Sequence, residues 1–103
     1  MRELSYLLNE VKSGLYVVTC GDSLDSIAKK FNTTKRLISL DNFLDGEVSE
    51  GDVLYIKIYN QVHTVKPNET LEDIEKLYCV SKEEILNVNK TSFIYPYMQL
   101  VIK

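Results

Sequence analysis

Tryptophan is absent from this chain, histidine occurs once, and there are two cysteines, two prolines and four glycines among its 103 residues. Each scarcity removes a class of protein. Cys20 and Cys79 form no CxxC pair, so the sequence indicates neither a zinc site nor a redox motif, and no metal or cofactor is implied. Two free thiols are the simple reading, and a single disulfide stays open as the alternative. With 45% hydrophobic and 26% charged residues, the composition is that of a folding globular chain and not of a disordered one. No apolar run approaches the ~20 residues of a membrane-spanning helix, so no membrane partner is expected. The first ten residues lack the unbroken apolar core of a signal peptide, and as written the chain reads as cytoplasmic. The net charge is −3, and lysine and arginine cluster nowhere. A nucleic-acid binder displaces counterions with concentrated positive charge, so no nucleic-acid partner is expected either.

What is present is a pattern of short elements. Leu4, Leu7, Leu8 and Val11 make one apolar helical stripe that Ser13-Gly14 stops, which predicts an amphipathic helix over residues 1–14. Such a stripe either packs on the next module or docks on a protein partner. Leu15 to Thr19 is β-branched and aromatic and ends in Gly21-Asp22, a strand closing in a turn. Asp22 and Ser23 offer N-caps to a helix carrying Leu24, Ile27, Ala28 and Phe31, and Asn32-Thr33-Thr34 separates it from a second helix over Lys35 to Asp41. An acidic loop with Asp45, Glu47 and Glu50, read as solvated, leads into the strand Val53 to Ile58.

The order strand, helix, helix, strand then recurs, with strands at Val62 to Val65 and Gln99 to Ile102 and helices at Leu71 to Tyr78 and Ser81 to Asn89. At a shift of 47, seven of the 27 positions from 16 to 42 are identical, among them Val18/Val65, Leu24/Leu71, Ile27/Ile74, Ile38/Ile85 and Asn42/Asn89. These are core and cap positions, so the repeat is structural. Beyond Asn89 the shift becomes 46, which sets Gly51 opposite Tyr97 and Val53 opposite Gln99. The expected division is a helix over 1–14, one module over 15–60 and a second over 61–103.

The run Tyr16-Val17-Val18-Thr19-Cys20-Gly21-Asp22-Ser23-Leu24, followed by Ile27, Ala28, Phe31, Ile38, Asn42 and Gly51-Asp52-Val53-Leu54-Tyr55-Ile56, resembles a LysM module. His63-Thr64-Val65-Lys66-Pro67-Asn68-Glu69-Thr70-Leu71, with Ile74, Tyr78, Ile85, Asn89 and Leu100-Val101-Ile102, resembles a second. The resemblance implies an α+β fold of two βααβ modules, each a two-stranded antiparallel sheet with both helices on one face. It also implies non-enzymatic binding of N-acetylglucosamine-containing polysaccharide, of the peptidoglycan or chitin type, and leaves cell-wall or spore-envelope association open. In such modules the sugar lies in a shallow groove between the first turn and the loop entering the last strand. Carried over by position, the first groove takes Gly21, Asp22, Ser23 and Leu24 with Phe43, Leu44 and Asp45. The second takes Asn68, Glu69, Thr70 and Leu71 with Phe93, Ile94 and Tyr95, flanked by Pro67 and Ser92.

The second module departs from the family pattern twice. Asn68 stands at a glycine position, where asparagine tolerates positive φ but adds a side chain, and Tyr97 replaces the glycine before the last strand. Weaker or altered binding is expected there. Asn42 and Asn89 are expected to close the second helices through backbone hydrogen bonds, and His63, with no serine or cysteine pattern beside it, reads as a strand residue and not a catalytic base. The competing functional reading is a protein-interaction or assembly module with degenerate sugar binding.

Overall fold

The computed structural model describes residues 12–102. Their elements run β1 (Lys12–Val17), α1 (Leu24–Phe31), α2 (Lys35–Asp41), β2 (Val53–Ile58), β3 (Val62–Thr64), α3 (Leu71–Tyr78), α4 (Lys82–Val88) and β4 (Gln99–Val101). β1 pairs antiparallel with β2, and β3 with β4, giving two separate two-stranded sheets. This is the α+β architecture of two βααβ units. The helix expected over residues 1–14 falls mostly outside the described residues. Its last part is corrected: Lys12, Ser13 and Gly14 belong to β1, in register with Ile58, Lys57 and Ile56, because pairing with β2 extends the strand past the glycine expected to end a helix.

Each helix starts where a side chain captures an orphan amide. Ser23 Oγ accepts from Ser26 N while Ser26 Oγ accepts from Ser23 N, and Thr70 and Asp73 form the same reciprocal box in the second unit. Thr34 and Ser81 cap α2 and α4 by accepting from Leu37 N and Glu84 N. Such caps contribute about 1 kcal/mol each. Asn32 and Cys79 end α1 and α3 in the left-handed conformation.

Alternation along the strands decides what is buried. Val18, Leu54 and Ile56 face the helices and join Leu24, Ile27, Ala28 and Ile38 in the first core. Val65, Leu100 and Ile102 do the same with Ile74, Val80, Ile85 and Met98 in the second. Asn42 and Asn89 then tie helix to strand. Asn89 donates through Nδ2 to Ile85 O and Val101 O and accepts from Val101 N, at 2.7, 2.8 and 2.8 Å. Asn42 makes the equivalent bonds to Ile38 O and with both backbone groups of Tyr55. The helix closure was legible in the sequence, and the bond across to the last strand was not.

The two units touch through a third apolar cluster, in which Leu37 of α2 packs with Tyr59, Val62, Val88 and Val101. Lys90 Nζ meets Asp41 at 2.7 Å, Arg36 donates to Lys90 O, and Asn32 brackets the connection by bonding both backbone groups of Tyr59. Cys20 and Cys79 are both exposed free thiols.

Candidate functional site

The first turn is held from behind. Val18 exchanges backbone bonds with the entry to β2, its N–H to Asp52 O and its carbonyl from Gly51 N, and Asp22 N closes the turn on Thr19 O. Gly21 sits at φ +89°, where a side chain brings strain. Asp22 turns its carboxylate inward, where it accepts from Tyr16 OH, Thr19 N and Thr19 Oγ1. The Tyr16 hydroxyl first, and then the Thr19 amide, hold this carboxyl at a pKa of about 2. Lys30 Nζ donates to the same phenol oxygen at 3.1 Å, which raises the lysine. Asp22 and Ser23 are therefore occupied in shaping the turn. Gly21 is exposed at the tip of the turn, and Leu24 is buried beneath it.

The facing wall contains a residue that sequence reasoning missed. Glu47, read as part of a solvated acidic loop, reaches across to accept from Leu24 N at 2.7 Å and from its neighbour Val48 N at 3.1 Å. These two amides lower its pKa, the Leu24 bond contributing most. Leu44 and Val48 pack against the first core and form the floor of this wall. Asp45 is exposed. Phe43 is 94% exposed at φ +56°, directly after the residue that clamps Tyr55, and so sits alongside β2. Leu24 and Glu47 are thus joined across the groove, with Leu44 beneath, while Phe43 and Asp45 project outward.

The second turn keeps the geometry and changes the chemistry. Glu69 occupies the place of Asp22 and accepts from Lys66 N at 2.9 Å and from His63 Nε2 at 2.8 Å, and its pKa is lowered chiefly by His63. His63 Nδ1 meets Tyr78 OH at 2.8 Å, and the two rings pack edge to face as Tyr16 and Phe31 do in the first unit. Burial raises the Tyr78 phenol. Both imidazole nitrogens are therefore engaged. Asn68 takes φ +69°, matching Gly21, and Thr70 caps α3 above the half-buried Leu71.

Across from this turn Ile94 packs into the second core, while Phe93 and Tyr95 lie exposed with ring centroids 6.3 Å apart. The stretch aligned with Glu47 is Phe93-Ile94, so no carboxylate spans this groove. Tyr97 adopts φ +68° at the position of Gly51 and bonds Val65 O as Gly51 bonds Val18 O, and the residue is 71% exposed. Pro67 is exposed, and Ser92 lines a shallow depression with Glu83, Leu86, Asn87, Lys90 and Thr91 at the end of α4.

Among the described residues no group of three or more His, Cys, Asp or Glu side chains is placed to hold a metal ion, and no helix is long and apolar enough to cross a membrane. Exposed at the two turns are Gly21 and Asn68, and on the facing loops Phe43, Phe93 and Tyr95.

Comparison with known proteins bears on both units. Residues 16–57 and 63–103 each match the LysM domain family. Human oxidation resistance protein 1 is 32% identical over 82 residues, which are 79% of this chain and 9% of that protein. Two solved structures are similar, the spore cortex-lytic enzymes SleL of Bacillus cereus and Bacillus megaterium QM B1551. Their identities are 26% and 28% and their TM-scores 0.43 and 0.44, covering 88% and 90% of this chain but 22% and 23% of theirs. The chain thus spans less than a quarter of each of these relatives. With two consecutive segments matched and a βααβ unit under each, the chain belongs to the LysM domain family.

Proposed function

We propose that this chain is a non-enzymatic binder of N-acetylglucosamine-containing polysaccharide, of the peptidoglycan or chitin type, and that the first groove is its stronger site. The observation that supports this reading is the tandem LysM match combined with glycine at both left-handed positions of the first groove, Gly21 and Gly51, which add no side chain there. An acetamido group presents a carbonyl, an N–H and a methyl; with the Asp22, Ser23 and Leu24 amides held by Thr19 O, Ser26 Oγ and Glu47, the Gly21 amide and the turn carbonyls meet the polar pair and the apolar floor of Leu44 meets the methyl. LysM is a binding module, and neither turn pairs a serine or cysteine nucleophile with a free base.

The second groove binds more weakly, because Asn68 and Tyr97 add side chains where the first has Gly21 and Gly51. Two unequal sites on one chain still reinforce each other along a polymer through effective concentration. Calorimetric titration with N-acetylglucosamine oligomers of increasing length tests this. Affinity rising with length, and no cleavage of the oligomer, support the proposal; absence of binding at every length refutes it. Attachment to a cell wall or spore envelope follows from the same reading and rests on the same test.

A further inference from the structure

The repeat supplies its own control for the wall that faces the second turn. Phe93, Tyr95, Pro96 and Tyr97 align with Glu47, Ser49, Glu50 and Gly51 of the first unit, so carboxylates, a hydroxyl and a glycine have given way to aromatic rings and a proline. From Thr91 to Gln99 no side chain carries a charge. Ile94 packs into the second core, which sends its neighbours Phe93 and Tyr95 outward, their rings inclined at 42° with centroids 6.3 Å apart.

Tyr97 is the strained member of this wall. Met98 N closes a turn on Tyr95 O at 3.1 Å with Pro96 and Tyr97 at its centre, as Asp52 N closes one on Ser49 O at 3.0 Å around Glu50 and Gly51. The third residue of each turn is left-handed, at φ +68° for Tyr97 and +94° for Gly51, a conformation that suits glycine and strains a bulky side chain. Tyr97 is exposed, so burial does not offset that strain. Two backbone bonds, Tyr97 N to Val65 O and Val65 N to Met98 O, pin it beside the turn Lys66 to Glu69. A strained residue with a pinned backbone and an exposed side chain is explained by a contact outside the fold.

Building on the reading of both turns as glycan sites, we propose that the second groove recognises the apolar ring face of a neutral β-linked pyranose chain on Phe93, Tyr95 and Tyr97, without requiring an acetamido group. In a β-linked glucose-type polymer the hydroxyls lie around the rim of each ring and C–H groups point above and below it. Each ring face is therefore apolar, and its hydrogens are drawn to the negative face of an aromatic ring. The phenol groups of Tyr95 and Tyr97 and the exposed amide of Asn68 supply donors and acceptors for the rim hydroxyls. An ionic ligand finds no opposite charge along this wall. The first groove, with Glu47 in place of Phe93 and glycine in place of Tyr97, lacks the aromatic surface, so the two units read different parts of a sugar.

Amide titration of the isotope-labelled chain with two probes, cellohexaose and an N-acetylglucosamine hexamer, tests this. Cellohexaose, which has no acetamido group, is expected to move Asn68, Phe93, Tyr95 and Tyr97 and to leave Gly21 to Leu24 unmoved. Tyr97→Gly should raise the melting temperature and weaken cellohexaose by roughly threefold to tenfold, the contribution of one aromatic contact, while Tyr97→Phe retains most of the affinity. A lowered melting temperature in Tyr97→Gly would show that the tyrosine serves the fold, and overturns the proposal. Cellohexaose that leaves Phe93, Tyr95 and Tyr97 unmoved also overturns it, even where the N-acetylglucosamine hexamer moves Gly21 to Leu24 and so upholds glycan binding by the first groove. Shifts of the same aromatic residues on concentrating the glycan-free protein assign the wall to a second copy and likewise overturn it.

Discussion

The backbone amide of Leu24 and the carboxylate of Glu47 meet at 2.7 Å across the first groove, the one side-chain bond between its two walls among the described residues. In this position Glu47 competes with any ligand carbonyl that approaches the start of α1. Glu47→Ala is expected to free the amide and to tighten binding of short N-acetylglucosamine oligomers at the first groove, measured by calorimetry, while Glu47→Gln preserves much of the bond. Unchanged affinity in Glu47→Ala would remove Glu47 from the groove.

The Asp22 carboxyl provides a pH prediction with a definite sign. Its folded pKa, about 2, lies below the ordinary aspartate value of 3.8, so the stability it contributes is fully present above about pH 4 and is lost as pH falls toward 2. Because the Tyr16 hydroxyl is the largest cause, Tyr16→Phe should move the Asp22 midpoint upward in a carboxyl NMR titration. Glu69 shifts in the same direction, and its contribution is likewise lost as the medium becomes acidic.

Asn89 is 2% exposed and satisfies three backbone bonds, whereas Asn42 is partly exposed. Asn89→Ala strands the polar groups of Val101 away from water and should cost about 2–3 kcal/mol in chemical denaturation. Asn42→Ala should cost less, since water reaches the groups it leaves.

Leu37 holds the two units together from a position 1% exposed. Leu37→Ala should lose about 2–5 kcal/mol and also split a single unfolding transition into two, since removing this contact uncouples the units. A calorimetric scan distinguishes that outcome from a uniform drop in melting temperature.

Much of the architecture was legible because it is written locally. The helix starts at Ser23, Thr34, Thr70 and Ser81 are marked by capping residues, and the strand Val53 to Ile58 by β-branched alternation. The span of β1 was not, because its extension to Lys12 depends on pairing with Ile58, a partner 46 positions away. The bond from Glu47 to Leu24 was invisible for the same reason: a carboxylate in an acidic loop looks solvated until the fold brings an orphan helix amide to it. His63 was legible as a strand residue, but its bonds to Glu69 and Tyr78 emerge only when the turn and α3 close around it. The repeat aligns these residues with Tyr16, Asp22 and Phe31, so the parallel was present in the sequence and its chemistry was not.

Residue-level titration of the isotope-labelled chain with an N-acetylglucosamine hexamer tests the central claim most directly. Amide shifts confined to Gly21 through Leu24 and Leu44 through Val48 at low ligand, spreading to Asn68 through Leu71 only at higher ligand, are the predicted result. Saturating hexamer that leaves all of these amides unmoved would contradict glycan recognition by this chain.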